Sequence, residues 1–296
     1  MTSPSHSAGA ARRTGRRSLA TVVSLVLIAA GGGAWFLARP DGPSSRAAST
    51  TASAPAPARW SFTVVNTYPH DPEAFTQGLL YRDGFLYEST GLNGRSSLRK
   101  VEIETGRVVQ RRAVDAEHFA EGLVDWGSRL IQLTWQSNVG FVYALDSFEP
   151  QGTFSYTGEG WGLARDARRI IMSDGTSTLR FLDPQTLGET GRLAVTERGL
   201  PVGNLNELEM VRGDLFANIW QSDDVVVIAP DTGHVIARID FSPLRAQLHA
   251  TQPIDVFNGI AWDETGDRLF VTGKLWPQLF EVRVRRPDAV TPGGAP

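Results

Sequence analysis

The chain has 296 residues, a length that suits one large domain or two smaller ones. With 29 Lys+Arg against 32 Asp+Glu its formal net charge is −3, which lacks the basic footprint that bulk nucleic-acid binding needs. It has no cysteine, so disulfides, thiolate metal sites and thiol nucleophiles are excluded together. The histidines (His6, His70, His118, His234 and His249) include no pair at metal-ligand spacing. Any active site must run on carboxylates, amides, lysine or aromatics, and 30 glycines with 17 prolines point to a turn-rich β protein.

In chain order, residues 1–17 form a basic amino terminus that carries Arg12-Arg-Thr-Gly-Arg-Arg. Residues 18–38 follow as an uncharged, mostly apolar run, long enough to cross a bilayer as a helix. The arginines precede it, so residues 1–17 are expected to stay cytoplasmic and the rest to be exported. An uncleaved membrane anchor is the preferred reading, because no small-x-small site ends the run; a cleaved signal peptide is the alternative. Residues 39–59, rich in Pro, Ala and Ser, read as a disordered linker, and residues 286–296 as a flexible tail.

Residues 60–285 repeat with a period of about 45 residues. Leu79, Leu123, Leu163, Leu208 and Ile260 mark equivalent positions, at spacings of 44, 40, 45 and 52. Each opens a pair of short apolar runs, such as Glu121-Gly-Leu-Val and Leu130-Ile-Gln-Leu-Thr-Trp. The first four units continue with two more runs joined by turn residues, as in Val226-Val-Ile-Ala-Pro-Asp-Thr-Gly-His-Val-Ile. Four short strands per unit is the arithmetic of a propeller blade. The fifth unit stops after Leu279-Phe-Glu-Val-Arg-Val, one strand short, while Trp60-Ser-Phe-Thr-Val-Val-Asn precedes the first as an orphan. The expected fold is all-β: a five-bladed β-propeller, its ring closed by the N-terminal strand pairing with the last blade.

Two positions before the marker stand Gln77, Glu121, Trp161, Asn206 and Asn258. Twelve after it stand Gly91, Trp135, Gly175 and Trp220, with Lys274 at fourteen in the fifth unit. Scaffold positions in a repeat should resemble one another, and these do not. Singly, each residue has a plainer reading: tryptophans fill gaps between blades, asparagines cap turns, and a carboxylate or lysine sits on a wet rim. Jointly, unlike groups in one register around an axis describe a binding site. Aromatic walls exclude water, amides recognise amides, a half-buried carboxylate exchanges protons near neutrality, and a lysine stabilises an oxyanion. Such parts serve acyl chemistry on a carboxamide without a metal.

A series of motifs sharpens this. Phe75-Thr-Gln-Gly-Leu, Leu86-Tyr-Glu-Ser-Thr-Gly-Leu, Gly94-Arg-Ser-Ser, Phe119-Ala-Glu-Gly-Leu and Gly160-Trp-Gly-Leu come in order, followed by Ser173-Asp-Gly-Thr, Leu205-Asn-Glu-Leu-Glu, Ala217-Asn-Ile-Trp, Asn258-Gly-Ile-Ala-Trp and Thr272-Gly-Lys-Leu-Trp-Pro. The set, from about Trp60 to Val284, resembles the plant-type glutaminyl-peptide cyclotransferases. The resemblance implies a five-bladed propeller that converts the N-terminal glutamine of peptides or proteins to pyroglutamate and releases ammonia. It makes Glu121 the essential carboxylate, Gln77 and Asn206 supporting amides and Lys274 the lysine. Phe75, Phe119, Trp135, Trp161 and Trp220 become the aromatic lining. Relatives commonly have Gly where this chain has Ala120. No cofactor, no metal and no nucleic-acid partner is expected. The expected protein is a monomer, extracytoplasmic, and either anchored by its N-terminal helix or secreted. Two other readings compete: a calcium-dependent propeller lactonase or esterase built on Glu121, Asn206 and Asn258, and a non-catalytic peptide-binding propeller.

Overall fold

The computed structural model describes residues 56–287. The expected basic terminus and membrane-crossing run, most of the linker and most of the C-terminal tail lie outside the described residues. No helix among the described residues is long and apolar enough to cross a membrane.

The described chain is all-β apart from one 3-10 turn at Ser242–Gln247. It opens with β1 (Ala58–Pro69). A four-stranded antiparallel sheet follows, made of β2 (Thr76–Arg82), β3 (Phe85–Thr90), β4 (Ser97–Glu102) and β5 (Val108–Ala113). The second sheet is β6 (Ala120–Trp126), β7 (Arg129–Thr134), β8 (Val139–Ala144) and β9 (Pro150–Ser155). The third is β10 (Leu163–Arg165), β11 (Ile170–Met172), β12 (Thr178–Leu182) and β13 (Glu189–Ala194). After a small hairpin of β14 (Thr196–Glu197) and β15 (Leu200–Pro201) come β16 (Leu205–Val211), β17 (Asp214–Ile219), β18 (Asp224–Ile228) and β19 (Val235–Asp240). The last strands are β20 (Phe257–Asp263), β21 (Arg268–Gly273) and β22 (Gln278–Arg285).

β1 supplies the strand the fifth unit lacks. It pairs antiparallel with β22, from Ser61 opposite Arg285 to Pro69 opposite Gln278. Its first residues, Ala58 to Trp60, also run parallel to Ala237–Ile239 of β19, a contact the repeat pattern does not announce. The fourth and fifth units thereby merge into one eight-stranded sheet in the order β16-β17-β18-β19-β1-β22-β21-β20. The β14–β15 hairpin and the 3-10 turn fall in the two longest repeat spacings and were likewise not foreseen.

The first strands of the five units lie side by side: β2 against β6, β6 against β10, β10 against β16, β16 against β20, and β20 back against β2. Glycine permits this closeness. A Cβ on Gly78 would stand 2.4 Å from Leu123 N, one on Gly122 2.7 Å from Gly162 C, and one on Gly162 2.0 Å from Asn206 O. The fourth unit breaks the rule by placing Glu207 at the glycine position. This side chain is buried and reaches both ways: Oε1 accepts Leu79 N–H at 3.3 Å, and Oε2 accepts Ile260 N–H at 2.9 Å. Burial, with Glu209 adding to it, holds the Glu207 carboxyl well above the usual carboxylate range. Between sheets the core is aliphatic and aromatic, as where Phe241, Phe257 and Trp276 stack near the 3-10 turn. Each such side chain, fully buried, contributes about 1.5–3 kcal/mol.

Candidate active site

Four of the five innermost strands carry a β-bulge at one level. The register slips between Thr76 and Gly78, between Ala120 and Leu123, between Leu205 and Leu208, and between Phe257 and Ile260. Gln77, Glu121, Asn206 and Asn258 all fall inside these slips. A bulge bends the strand and re-aims a side chain, so residues that regular pairing would hold on the pleat can be turned to one end of the bundle. In the third unit regular pairing begins at Leu163, and Trp161 stands just before it with its N–H donated to Ser173 O at 3.0 Å. A second shared feature fixes the other row. Gly91 N–H donates to Phe75 O, Trp135 N–H to Phe119 O, Trp220 N–H to Asn204 O and Lys274 N–H to Val256 O, each at 2.8–2.9 Å. Lys274 is thus the backbone equivalent of the two tryptophans despite its longer sequence offset.

Gln77 and Lys274 act directly on Glu121. Gln77 Nε2 donates to Glu121 Oε1 at 2.9 Å, and both side chains are buried. Burial pushes the Glu121 carboxyl well above the usual carboxylate range; Lys274 pulls it down and Glu159 pushes it further up. Lys274 is only 4% exposed, and its ammonium lies 5.0 Å above the Phe75 ring, a cation–π placement. Its own pKa is lowered by burial, partly offset by Glu121 and Asp255. Asn206 and Asn258 are buried, and the oxygens Gln77 Oε1, Asn206 Oδ1 and Asn258 Oδ1 have no partner among the described residues. Asn258 Nδ2 is committed to Thr76 O at 3.0 Å.

Above these groups the rings form an arc. Phe75 meets Phe119 edge-on at 6.0 Å, Phe119 meets Trp135 at 5.8 Å, and Trp161 meets Trp220 at 5.5 Å. Trp135 and Trp220 are 38% and 39% exposed, so they form a rim and not packing between sheets. The two glycines of the second row make room for rings: a Cβ on Gly91 would stand 2.3 Å from Phe119, and one on Gly175 2.7 Å from Trp161. The structure links Gln77 with Glu121, Lys274 with Phe75, Phe75 with Phe119, Phe119 with Trp135, and Trp161 with Trp220. Glu159 is the one the sequence missed: its carboxylate accepts both Trp135 Nε1 and Trp161 Nε1. The repeat held a signal for it, because Glu159 lies two residues before Trp161, where Phe75 and Phe119 stand relative to Gln77 and Glu121.

The opposite ends of the same strands look different. Asp125 there takes Arg165 at 2.6 Å and also pairs with Arg82, and a cavity of about 760 Å³ is lined with such charges. Asp125 is buried and its charge is matched by these two arginines, an ordinary structural role. The other end holds a carboxylate with raised proton affinity, an ammonium that acts on it, and unpartnered amide oxygens below aromatic rings, a set of groups able to take and return a proton.

Comparison with known proteins narrows the class. The model of the glutamine cyclotransferase family matches residues 42–284. A glutaminyl-peptide cyclotransferase from Arabidopsis thaliana is 46% identical over 230 residues, covering 76% of this chain and 72% of the relative. The crystal structure of Myxococcus xanthus glutaminyl cyclase superposes with a TM-score of 0.73 at 40% identity, covering 77% of this chain and 98% of that one. The chain belongs to the glutamine cyclotransferase family.

Proposed function

We infer that the protein is a glutaminyl-peptide cyclotransferase: it closes the N-terminal glutamine of a peptide or protein into pyroglutamate and releases ammonia. The fold that serves this is a five-bladed propeller, a reading supported by five four-stranded units whose first strands neighbour one another in a cycle. The observation that carries the function is Glu121, buried, bonded to Gln77 and acted on by Lys274 at the floor of the aromatic arc.

In the reaction the substrate's neutral α-amine attacks the δ-carbon of its own side chain. A C–N bond forms, the carbonyl oxygen takes the negative charge, and the δ-C–N bond then breaks. Glu121 accepts a proton from the amine and passes it to the departing nitrogen, which leaves as ammonia. Lys274, with the Gln77 or Asn206 amide, stabilises the oxyanion. Trp135, Trp161 and Trp220, with Phe75 and Phe119, enclose the glutamine side chain and hold it in a ring-ready shape. The reaction is intramolecular, so that conformational restriction supplies much of the rate gain. The calcium-dependent alternative fits less well, because the carboxylate it needs as a ligand, Glu121, is acted on by the Lys274 ammonium and bonded to the Gln77 amide. The arginines before residues 18–38 support an exported enzyme held to the membrane by that run, and one site per chain suits a monomer.

Incubation with a short glutamine-initiated peptide tests the function. The expected result is a product lighter by one ammonia, with ammonia released in equal amount. An unchanged peptide that nonetheless binds would leave a peptide-binding protein without turnover.

A further inference from the structure

The ring contacts of the aromatic arc have one break, between Trp135 and Trp161, and Glu159 spans it. Its Oε2 accepts the indole N–H of Trp135 at 2.7 Å and that of Trp161 at 2.9 Å, while Oε1 accepts the Gln136 amide at 2.9 Å. Trp135 follows β7 of the second unit and Trp161 precedes β10 of the third, so one carboxylate ties rings from two neighbouring sheets. An indole nitrogen can only donate, and neither indole N–H has another acceptor among the described residues. A bond to an ionised acceptor is also about twice as strong as a neutral one.

We propose that Glu159 is a positioning residue of the substrate cup, whose carboxylate locks Trp135 and Trp161 into one continuous wall around the glutamine side chain. The proposal rests on the reading of the protein as a glutaminyl-peptide cyclotransferase. Burial opposes charge on Glu159, but the three donors outweigh it and hold its carboxyl below the ordinary range, which favours the charged clamp. That fixed charge has a second effect. Glu121 is faced by the Lys274 ammonium, by Glu159 and by the Tyr156 hydroxyl, and of these Glu159 adds to its proton affinity. Removing the charge while keeping an acceptor oxygen separates the two effects.

The test is steady-state kinetics on a glutamine-initiated peptide across the acid limb, with acrylamide quenching of tryptophan emission, for the wild-type protein, Glu159→Ala and Glu159→Gln. Glu159→Ala is expected to raise KM about tenfold with a smaller change in kcat, and to make the indoles more quenchable. Glu159→Gln keeps one oxygen for the indoles and is expected to recover most of the KM, while the acid limb of kcat/KM moves to lower pH. A wild-type KM and wild-type quenching in Glu159→Ala would overturn the proposal. So would an acid limb that stays in place in Glu159→Gln, the reading that survives if the alanine variant fails to fold. A wild-type protein that releases no ammonia defeats the functional reading instead, and the quenching difference then still decides the clamp.

Discussion

The Gln77 side-chain amide donates to the Glu121 carboxylate across 2.9 Å, from the matching bulge of the neighbouring innermost strand. It is the one hydrogen bond to that carboxylate among the described residues, and it favours the ionised form against burial that favours the protonated one. Burial prevails, and the carboxyl's proton affinity stands well above the usual carboxylate range.

Replacing Glu121 with Gln tests this directly. The new amide oxygen can still accept from Gln77, so the fold should persist, while turnover should fall by about 10²–10⁴. Stability supplies a second readout. The folded-state pKa of Glu121 is raised, so its stabilising contribution is full below the unfolded value near 4.5 and is lost as pH rises through the folded value. Glu121→Gln should therefore melt no lower than wild type at neutral pH, and its melting temperature should fall less between acid and neutral pH. Circular dichroism melts at several pH values check this.

Lys274→Met should act in two ways. Loss of the buried ammonium removes oxyanion stabilisation, at a cost of about 10²–10³ in kcat, the scale of one lost oxyanion-hole donor. It also removes the charge that pulls the Glu121 carboxyl down, so the acid limb of kcat/KM should move to higher pH, opposite in direction to Glu159→Gln. Burial lowers the pKa of Lys274 itself, so wild type should show an alkaline limb below the ordinary lysine value of 10.5, and that limb should vanish in the variant. A pH–rate profile of both proteins decides it.

The repeat made much of this visible in the sequence, because equivalent positions with unlike chemistry cannot share a packing role. Gln77, Glu121, Trp161, Asn206, Trp135, Trp220 and Lys274 emerged that way, while Phe75 and Phe119 came from family resemblance. What stayed hidden depends on partners. A bulge is a mismatch between two strands, so no single strand's sequence declares it. Glu159, in a Gly-Glu-Gly turn, reads as a solvated charge until the two indoles that donate to it are placed. The parallel contact of Ala58–Trp60 with β19 has no hydrophobic period of its own, because it adds to an edge that alternation alone leaves open.

Glu207 should matter for stability more than for chemistry. It fills the place that glycine holds in the other four units and binds the N–H groups of Leu79 and Ile260, on β2 and β20. Glu207→Ala would leave two buried donors without partners, at about 1–3 kcal/mol each, so a loss of about 2–6 kcal/mol is expected. Denaturant unfolding measures it; a change under 1 kcal/mol would mean that water reaches those groups.

The last prediction concerns a buried pair behind the site. His70 Nδ1 donates to Trp276 O at 2.7 Å, and Nε2 faces Glu88 Oε1 at 3.1 Å, so both ring nitrogens sit against acceptors and the imidazolium form fits. Thr76 Oγ1 also donates to Glu88 Oε1, at 2.7 Å, which joins the pair to the residue before Gln77, while Trp276 lies two residues after Lys274. Burial opposes charge on both partners, but their mutual attraction prevails: the His70 pKa is raised and the Glu88 pKa lowered. The His70 contribution is full below its unfolded value of 6.5 and is lost as pH rises through the folded value; that of Glu88 is full above its unfolded value of 4.5 and is lost as pH falls through the folded one. The pair therefore stabilises most between those two unfolded values, with loss on either side. Glu88→Ala strands a buried imidazolium and should cost about 3–5 kcal/mol. A double-mutant cycle with His70→Ala, followed by denaturant unfolding, should show that the second substitution costs much less once the first is made, because the buried charge has already lost its partner.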